Sequence, residues 1–282
     1  MKVLKSSMLA DDFVFLEGLT WHNGGLWVSD MWDFGVIRIS TSGTSEKICD
    51  VPNRPSGMAL LPDGTLVLVS MKDRKLMRLR GDALEPYVDL QALATGDLND
   101  LVADEKGNIY VGHFGYDLFG GASHEFASVI HVDVDGVART VAENMDFPNG
   151  MVLKDDGKTL VVAETWSCRL TAFDRLDDGS LANRRVYADL GERMPDGVCV
   201  DQDGGIWVAC FNTGEVVRVL SGGKITDRVY FPGKRAVSCV LGGEEGRTLF
   251  CSTFDGEIAD IHVRKRAGAI ETVIVDVPGH VE

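Results

Sequence analysis

Glu17, Asn99, Asn149 and Asp196 each stand at the head of a short apolar run, each as the first member of a residue pair. The pairs are Glu17-Gly18, Asn99-Asp100, Asn149-Gly150 and Asp196-Gly197, and Ser56-Gly57 and Ser238-Cys239 fill the same place elsewhere. Two carboxylates and two amide oxygens converging on one axis make a hard-oxygen cage. Such a cage suits Ca²⁺, Mg²⁺ or Mn²⁺ better than a metal that prefers sulfur. Without a cation, two buried carboxylates facing each other repel and shift their pKa values. The plainer alternative is that these residues hydrogen-bond strand ends and channel water.

Convergence requires a repeating scaffold, and the sequence has one. Leu19–Val28, Met58–Leu68, Leu101–Val111, Met151–Val161, Val198–Val208 and Val240–Phe250 each read as an apolar run, a Gly-bearing turn and a second apolar run. That is the signature of a hairpin. Further apolar stretches follow, such as Val36–Ile39, Leu76–Leu79 and Val216–Val219. Four short strands thus recur six times with a period of about 40–50 residues, and almost nothing reads as helix. The pattern predicts an all-β fold, a six-bladed β-propeller with four-stranded antiparallel blades around a central channel, as one domain spanning residues 1–282. Lys2-Val3-Leu4 is expected to supply the outer strand of the last blade, closing the ring.

In such a meander the loop after each second strand lies beside the ring of polar residues. Trp32, Phe114, Trp166 and Phe211 fall in those loops and are expected to wall a small-molecule pocket, although each could equally pack between blades. The longest repeat contains an extra segment, Tyr116–Phe126, a candidate lid. His113 is a candidate base or substrate contact.

A formal charge of −15 argues against nucleic acid or an anionic membrane surface as partner. No run approaches the length of a membrane span, and Asp11-Asp12 interrupts any signal-like segment, so the expected location is cytoplasmic. Six cysteines form no CxxC pair and are expected as free thiols.

At Phe147-Pro148-Asn149-Gly150-Met151, Ala163-Glu164-Thr165-Trp166 and Pro195-Asp196-Gly197-Val198 the chain resembles the gluconolactonase/regucalcin (senescence marker protein) family. Leu16-Glu17-Gly18 and Leu98-Asn99-Asp100 extend the resemblance over essentially the whole chain. It implies a six-bladed propeller holding one divalent cation, Ca²⁺ or sometimes Zn²⁺ or another metal, on Glu17, Asn149 and Asp196. Asn99 would contact substrate or complete the coordination. It also implies hydrolysis of a sugar lactone. One departure is Asp97, where animal-type members carry an arginine two residues before that Asn, which leaves room for a less polar lactone or ester. Asp196 is the candidate catalytic residue, as ligand or as base, and no GxSxG elbow offers a nucleophile. A non-catalytic, metal-stabilised binding propeller and a metal-dependent phosphotriesterase are the alternatives.

Overall fold

The structure, a computed structural model, describes residues 1–81 and 83–280. The six predicted hairpins are all present, and each belongs to its own sheet. Blade one is Leu16–His22, Gly25–Asp30, Gly35–Ile39 and Ser45–Asp50, running from the axis outward. Blades two to five begin with the inner strands Pro55–Leu60, Leu98–Ala103, Pro148–Lys154 and Pro195–Val200, and blade six with Arg235–Gly242. Each inner strand touches the inner strands of its two neighbours, and blade six touches blade one, so the ring is closed.

The second strand of each blade is buried on both faces, because neighbouring blades cover it from either side. Leu66–Ser70 (Leu-Val-Leu-Val-Ser) therefore reads as a continuous apolar run rather than an alternating one. Apolar side chains pool in the seams between blades. Val28 and Ile39 meet Phe250 and Ile270 between blades one and six, and Val161 and Leu170 meet Val208 and Val217 between blades four and five. Each buried Val or Leu contributes about 1.5–3 kcal/mol relative to exposure, so every seam is a substantial glue. The hairpin turns are set by short side chains that bond their own backbone. Asp201 Oδ1, for instance, accepts the N–H groups of Asp203 and Gly205, while Arg218 clamps the same carboxylate.

Closure differs from the sequence expectation. Ser7–Phe13, not Lys2–Leu4, forms the outer strand of blade six, antiparallel to Gly268–Ile274. Lys2–Leu4 instead adds a fifth strand to blade five, parallel to Ile225–Tyr230. The physical reason is exposure. An outer strand is half in water, so Ser7–Phe13 tolerates Asp11 and Asp12 and shows no apolar pattern. A short helix, Ile258–His262, which the repeat did not signal, lies in the loop after the second strand of blade six.

Candidate functional site: the oxygen-lined ring and its mouth

The pairing of inner and second strands slips at the same place in all six blades, at Glu17/Thr20, Pro55/Met58, Leu98/Leu101, Pro148/Met151, Pro195/Val198 and Ala236/Ser238. Such irregularities re-aim side chains, and here they fall on the polar ring. The second residue of four of the six pairs is glycine because the next blade abuts it. A Cβ on Gly18, whose φ is +57°, would lie 2.3 Å from Ser56 O, and one on Gly197 would lie 2.2 Å from Ser238 Oγ. The glycines let the blades close tightly enough for the first residues of the pairs to converge.

Glu17, Asn99, Asn149 and Asp196 are all buried, with Ser56 and Ser238 between them in the ring. Asn149 is oriented by its neighbours: Nδ2 donates to Thr165 Oγ1 (3.2 Å), which itself donates to Pro195 O (2.7 Å). Asn99 Nδ2 donates to Pro148 O (3.3 Å), tying blade three to the residue before Asn149. Asn149 Oδ1 and Asp196 Oδ1 have no hydrogen-bond partner among the described residues although both are buried. Unmet buried acceptors are costly, so this pair is an acceptor site awaiting a donor or a cation.

Charge tells the same story. Burial, then repulsion from Asp196 and Asp100, raises the Glu17 pKa well above the usual carboxylate value. Asp196 is raised as well, chiefly by burial, with a hydrogen bond from Asn149 working against it and Asp100 adding to it. Asp100 is pushed up by burial to about 6. Asp100 occupies a position where four blades carry glycine, so the only mark it leaves in the sequence is an acid in a glycine's place. Among the described residues no three His, Cys, Asp or Glu side chains gather as a metal group. A cation held here would rest on two carboxylates and amide oxygens, and the unpartnered Asn149 and Asp196 oxygens fit a hard divalent ion.

The mouth is roofed by aromatic rings. Phe114 stacks on Phe147 (centroids 4.5 Å apart), and Phe147 meets Trp166 (4.9 Å). Phe119, from the extra segment 116–126, packs edge-on against both Trp32 (5.4 Å) and Phe114 (5.7 Å). His262 of the short helix closes on Trp32 (5.0 Å). The segment is anchored on its other side, where Tyr116 OH accepts Trp166 Nε1–H (3.1 Å) and His124 Nε2 meets Asp146 Oδ1 (2.8 Å). It therefore spans from blade three to blades one, four and six.

Phe211 stands slightly apart, against Phe15 (6.4 Å) and beneath the Arg235 guanidinium (5.1 Å). His113 is turned into its own blade: Nδ1 accepts Gly115 N–H (3.1 Å), and Nε2 accepts Ser128 N–H (3.1 Å) and meets the Ser128 hydroxyl (2.9 Å). Burial, helped by Arg74, lowers its pKa to about 4. Of the residues singled out by sequence, His113 is the one whose polar atoms are already engaged by its own blade.

Two positions lie two residues ahead of ring residues with left-handed backbone, Arg54 (φ 73°) before Ser56 and Phe147 (φ 59°) before Asn149. For bulky residues that conformation is strained and persists only where packing enforces it. At the opposite end of the channel a cavity of about 390 Å³ is lined by Trp21, Asp100, Cys199 and Cys239. Neither unpartnered oxygen, on Asn149 or on Asp196, belongs to a residue that lines it.

Fold and ring together define an oxygen-lined six-bladed propeller with an aromatic mouth. Residues 15–255 match the family described as the SMP-30/Gluconolactonase/LRE-like region, and the chain belongs to that family. It is 25% identical to regucalcin of Danio rerio over 227 residues, covering 79% of this chain and 74% of the relative. It is 26% identical to lactonase drp35 of Staphylococcus epidermidis over 241 residues, covering 80% and 72%. The crystal structure of a calcium-binding protein, regucalcin, from Agrobacterium tumefaciens superposes with a TM-score of 0.83 at 21% identity, covering 100% of this chain and 98% of that one. No helix among the described residues is long and apolar enough to cross a membrane.

Proposed function

We propose that this chain is a divalent-cation-dependent hydrolase that opens a lactone ring. The observation that carries the reading is the pair of buried, unpartnered oxygens on Asn149 and Asp196 beside the Glu17 carboxyl. The lactonase named among the relatives supports the reaction class, and the calcium-binding regucalcin supports the choice of ion.

Glu17, Asn149 and Asp196 would hold the cation, Ca²⁺ in preference to Zn²⁺, Mg²⁺ or Mn²⁺, with Asn99 completing the set or meeting the substrate. When bound, that ion supplies Lewis acidity to a carbonyl oxygen. Asp196, whose carboxylate would also border the cation, takes a proton from the attacking water as the C–O bond to the carbonyl carbon forms. The ring C–O bond then breaks, and the proton returns to the departing alkoxide, giving a hydroxy acid. Thr165 keeps the Asn149 amide oxygen turned toward the same point. Trp32, Phe114 and Trp166, joined by Phe119 and Phe147, exclude bulk water and cover the less polar part of the substrate. Phe211 borders the pocket, and His113, neutral and engaged, shapes its wall rather than exchanging protons. The partner is therefore a small lactone or ester, with no nucleic acid or membrane surface required.

The deciding experiment is a panel of lactones, esters and phosphotriesters run with EDTA and with Ca²⁺, Zn²⁺, Mg²⁺ or Mn²⁺ restored. Lactone opening that EDTA abolishes and metal restores is the expected result. Full lactonase turnover and metal content in Asp196→Ala would sink the assignment.

A further inference from the structure

A buried cation with unspent donors stands at the mouth. Arg54 lies two residues before Ser56 of the ring and is only 5% exposed. Its guanidinium carbon stands 3.8 Å from the centroid of Trp32 and 4.7 Å from that of Phe119. Those rings cover its faces, yet its Nε and Nη1 have no hydrogen-bond partner among the described residues. The backbone is committed to this placement. Arg54 N–H donates to Val51 O (3.0 Å), its carbonyl accepts Met71 N–H (2.9 Å), and its φ of 73° is one that arginine rarely adopts. A guanidinium held in a strained turn beneath two aromatic rings, with donors unmet, is built to receive an acceptor from outside the chain.

The surrounding charge says which acceptor. Asp97 is the carboxylate in electrostatic reach of Arg54. Asp97 is itself shared with Lys72 and Arg74, and Asp117 is the other acid facing it. The single Asp97 carboxylate is therefore divided among three cations. Arg54 thus has no full counter-ion, and an anion at this corner of the mouth would complete the balance.

We propose that Arg54 is the substrate-recognition residue of this mouth and that the substrate carries a carboxylate at its non-reacting end. The inference rests on reading the mouth as the substrate pocket and narrows the substrate to acidic lactones. The carboxylate accepts from the free Arg54 donors while the Trp32 and Phe119 rings flank the carbon frame beside it. Charge-assisted bonds of this kind are roughly twice as strong as neutral ones.

The test uses two probes without an ester bond, tetrahydrofuran-2-carboxylate and tetrahydrofuran-2-carboxamide, titrated by calorimetry in calcium-containing buffer. The wild type should bind the carboxylate at least about tenfold more tightly than the carboxamide. Arg54→Met and Arg54→Gln should bind the two alike, and Arg54→Lys should keep part of the preference. Thermal melts identify which variants are folded, and the glutamine variant serves if the methionine variant is not. The proposal falls if the wild type shows no preference, or if a folded Arg54→Met or Arg54→Gln keeps it. Because neither probe contains a lactone or ester bond, this result stands apart from the lactone panel, and either can fail without the other.

Discussion

Glu17 on blade one and Asp196 on blade five repel each other across the channel, although blade six separates them in the ring. Both are buried and both are held above the ordinary carboxylate range. That repulsion is a destabilising element in the metal-free protein, and it should be measurable without any substrate.

Glu17→Gln should therefore raise the thermal midpoint of the EDTA-treated protein while removing its response to calcium. The wild type should instead gain stability as calcium is added, by mass action on the folded state. Scanning calorimetry with and without Ca²⁺ compares the two. A Glu17→Gln protein that is less stable without metal, or still stabilised by it, contradicts the cage.

His113 contributes a defined pH dependence. Its folded pKa of about 4 lies below the 6.5 of the free side chain, so between those values the unfolded chain binds the extra proton. Stability is full above about pH 6.5 and declines as the pH falls toward 4. From pH 7 to 5 the loss amounts to roughly 2 kcal/mol. Urea unfolding of His113→Asn at both pH values should show a smaller drop than the wild type, whatever its absolute stability.

Glu164 anchors the turn that presents Asn149. Its carboxylate accepts Asp146 N–H (2.8 Å), meets Arg169 (2.9 Å) and Arg184 (3.2 Å), and takes the Thr171 hydroxyl. Burial alone would raise its pKa, but Arg169, Thr171 and the Asp146 amide together hold it below the usual value. This stabilisation is present above the unfolded pKa near 4.5 and disappears as the pH falls through the depressed folded value. Glu164→Gln should cost about 2–3 kcal/mol at pH 7, since both arginines are partly solvated. The deficit should shrink in acid, which chemical unfolding at pH 7 and pH 3.5 would reveal.

Truncation distinguishes the two N-terminal strands. Removing residues 1–5 deletes only the extra parallel strand on blade five, and the protein should still fold with a modestly lowered midpoint. Removing residues 1–13 strips blade six of its outer strand and exposes Ile270, so the ring should fail to close. Soluble yield and near-ultraviolet circular dichroism report the outcome; equal behaviour of the two truncations would argue against this division of labour.

The ring was legible in sequence because its members share one repeat position, so an alignment on the hairpin turns brings Glu17, Asn99, Asn149 and Asp196 together without any structure. Arg54 was not legible. It stands two residues before a ring member, a place that the other blades fill with residues as different as Phe15, Asp97 and Phe147, and nothing in its neighbours signals a left-handed backbone at an arginine. Phe119 was visible only as part of an insertion, since its contacts with Trp32 and His262 join segments far apart in the chain. The closing strand was misplaced for a related reason. Lys2-Val3-Leu4 looks more strand-like than Ser7–Phe13, but an edge position is decided by pairing with Gly268–Ile274 rather than by its own composition.

The way blade six is sewn from both ends of the chain also sets an order of events during synthesis. Ser7 and Thr272 are partners across 265 residues, so the N-terminal strand must wait until the final strand has left the ribosome. The four-stranded meanders of five blades can assemble progressively from near-neighbour hairpins, while the last blade needs a strand from the far end of the chain. Ring closure should therefore be the slow final step of folding. The same seam is where a mechanically pulled or partly denatured molecule should first part.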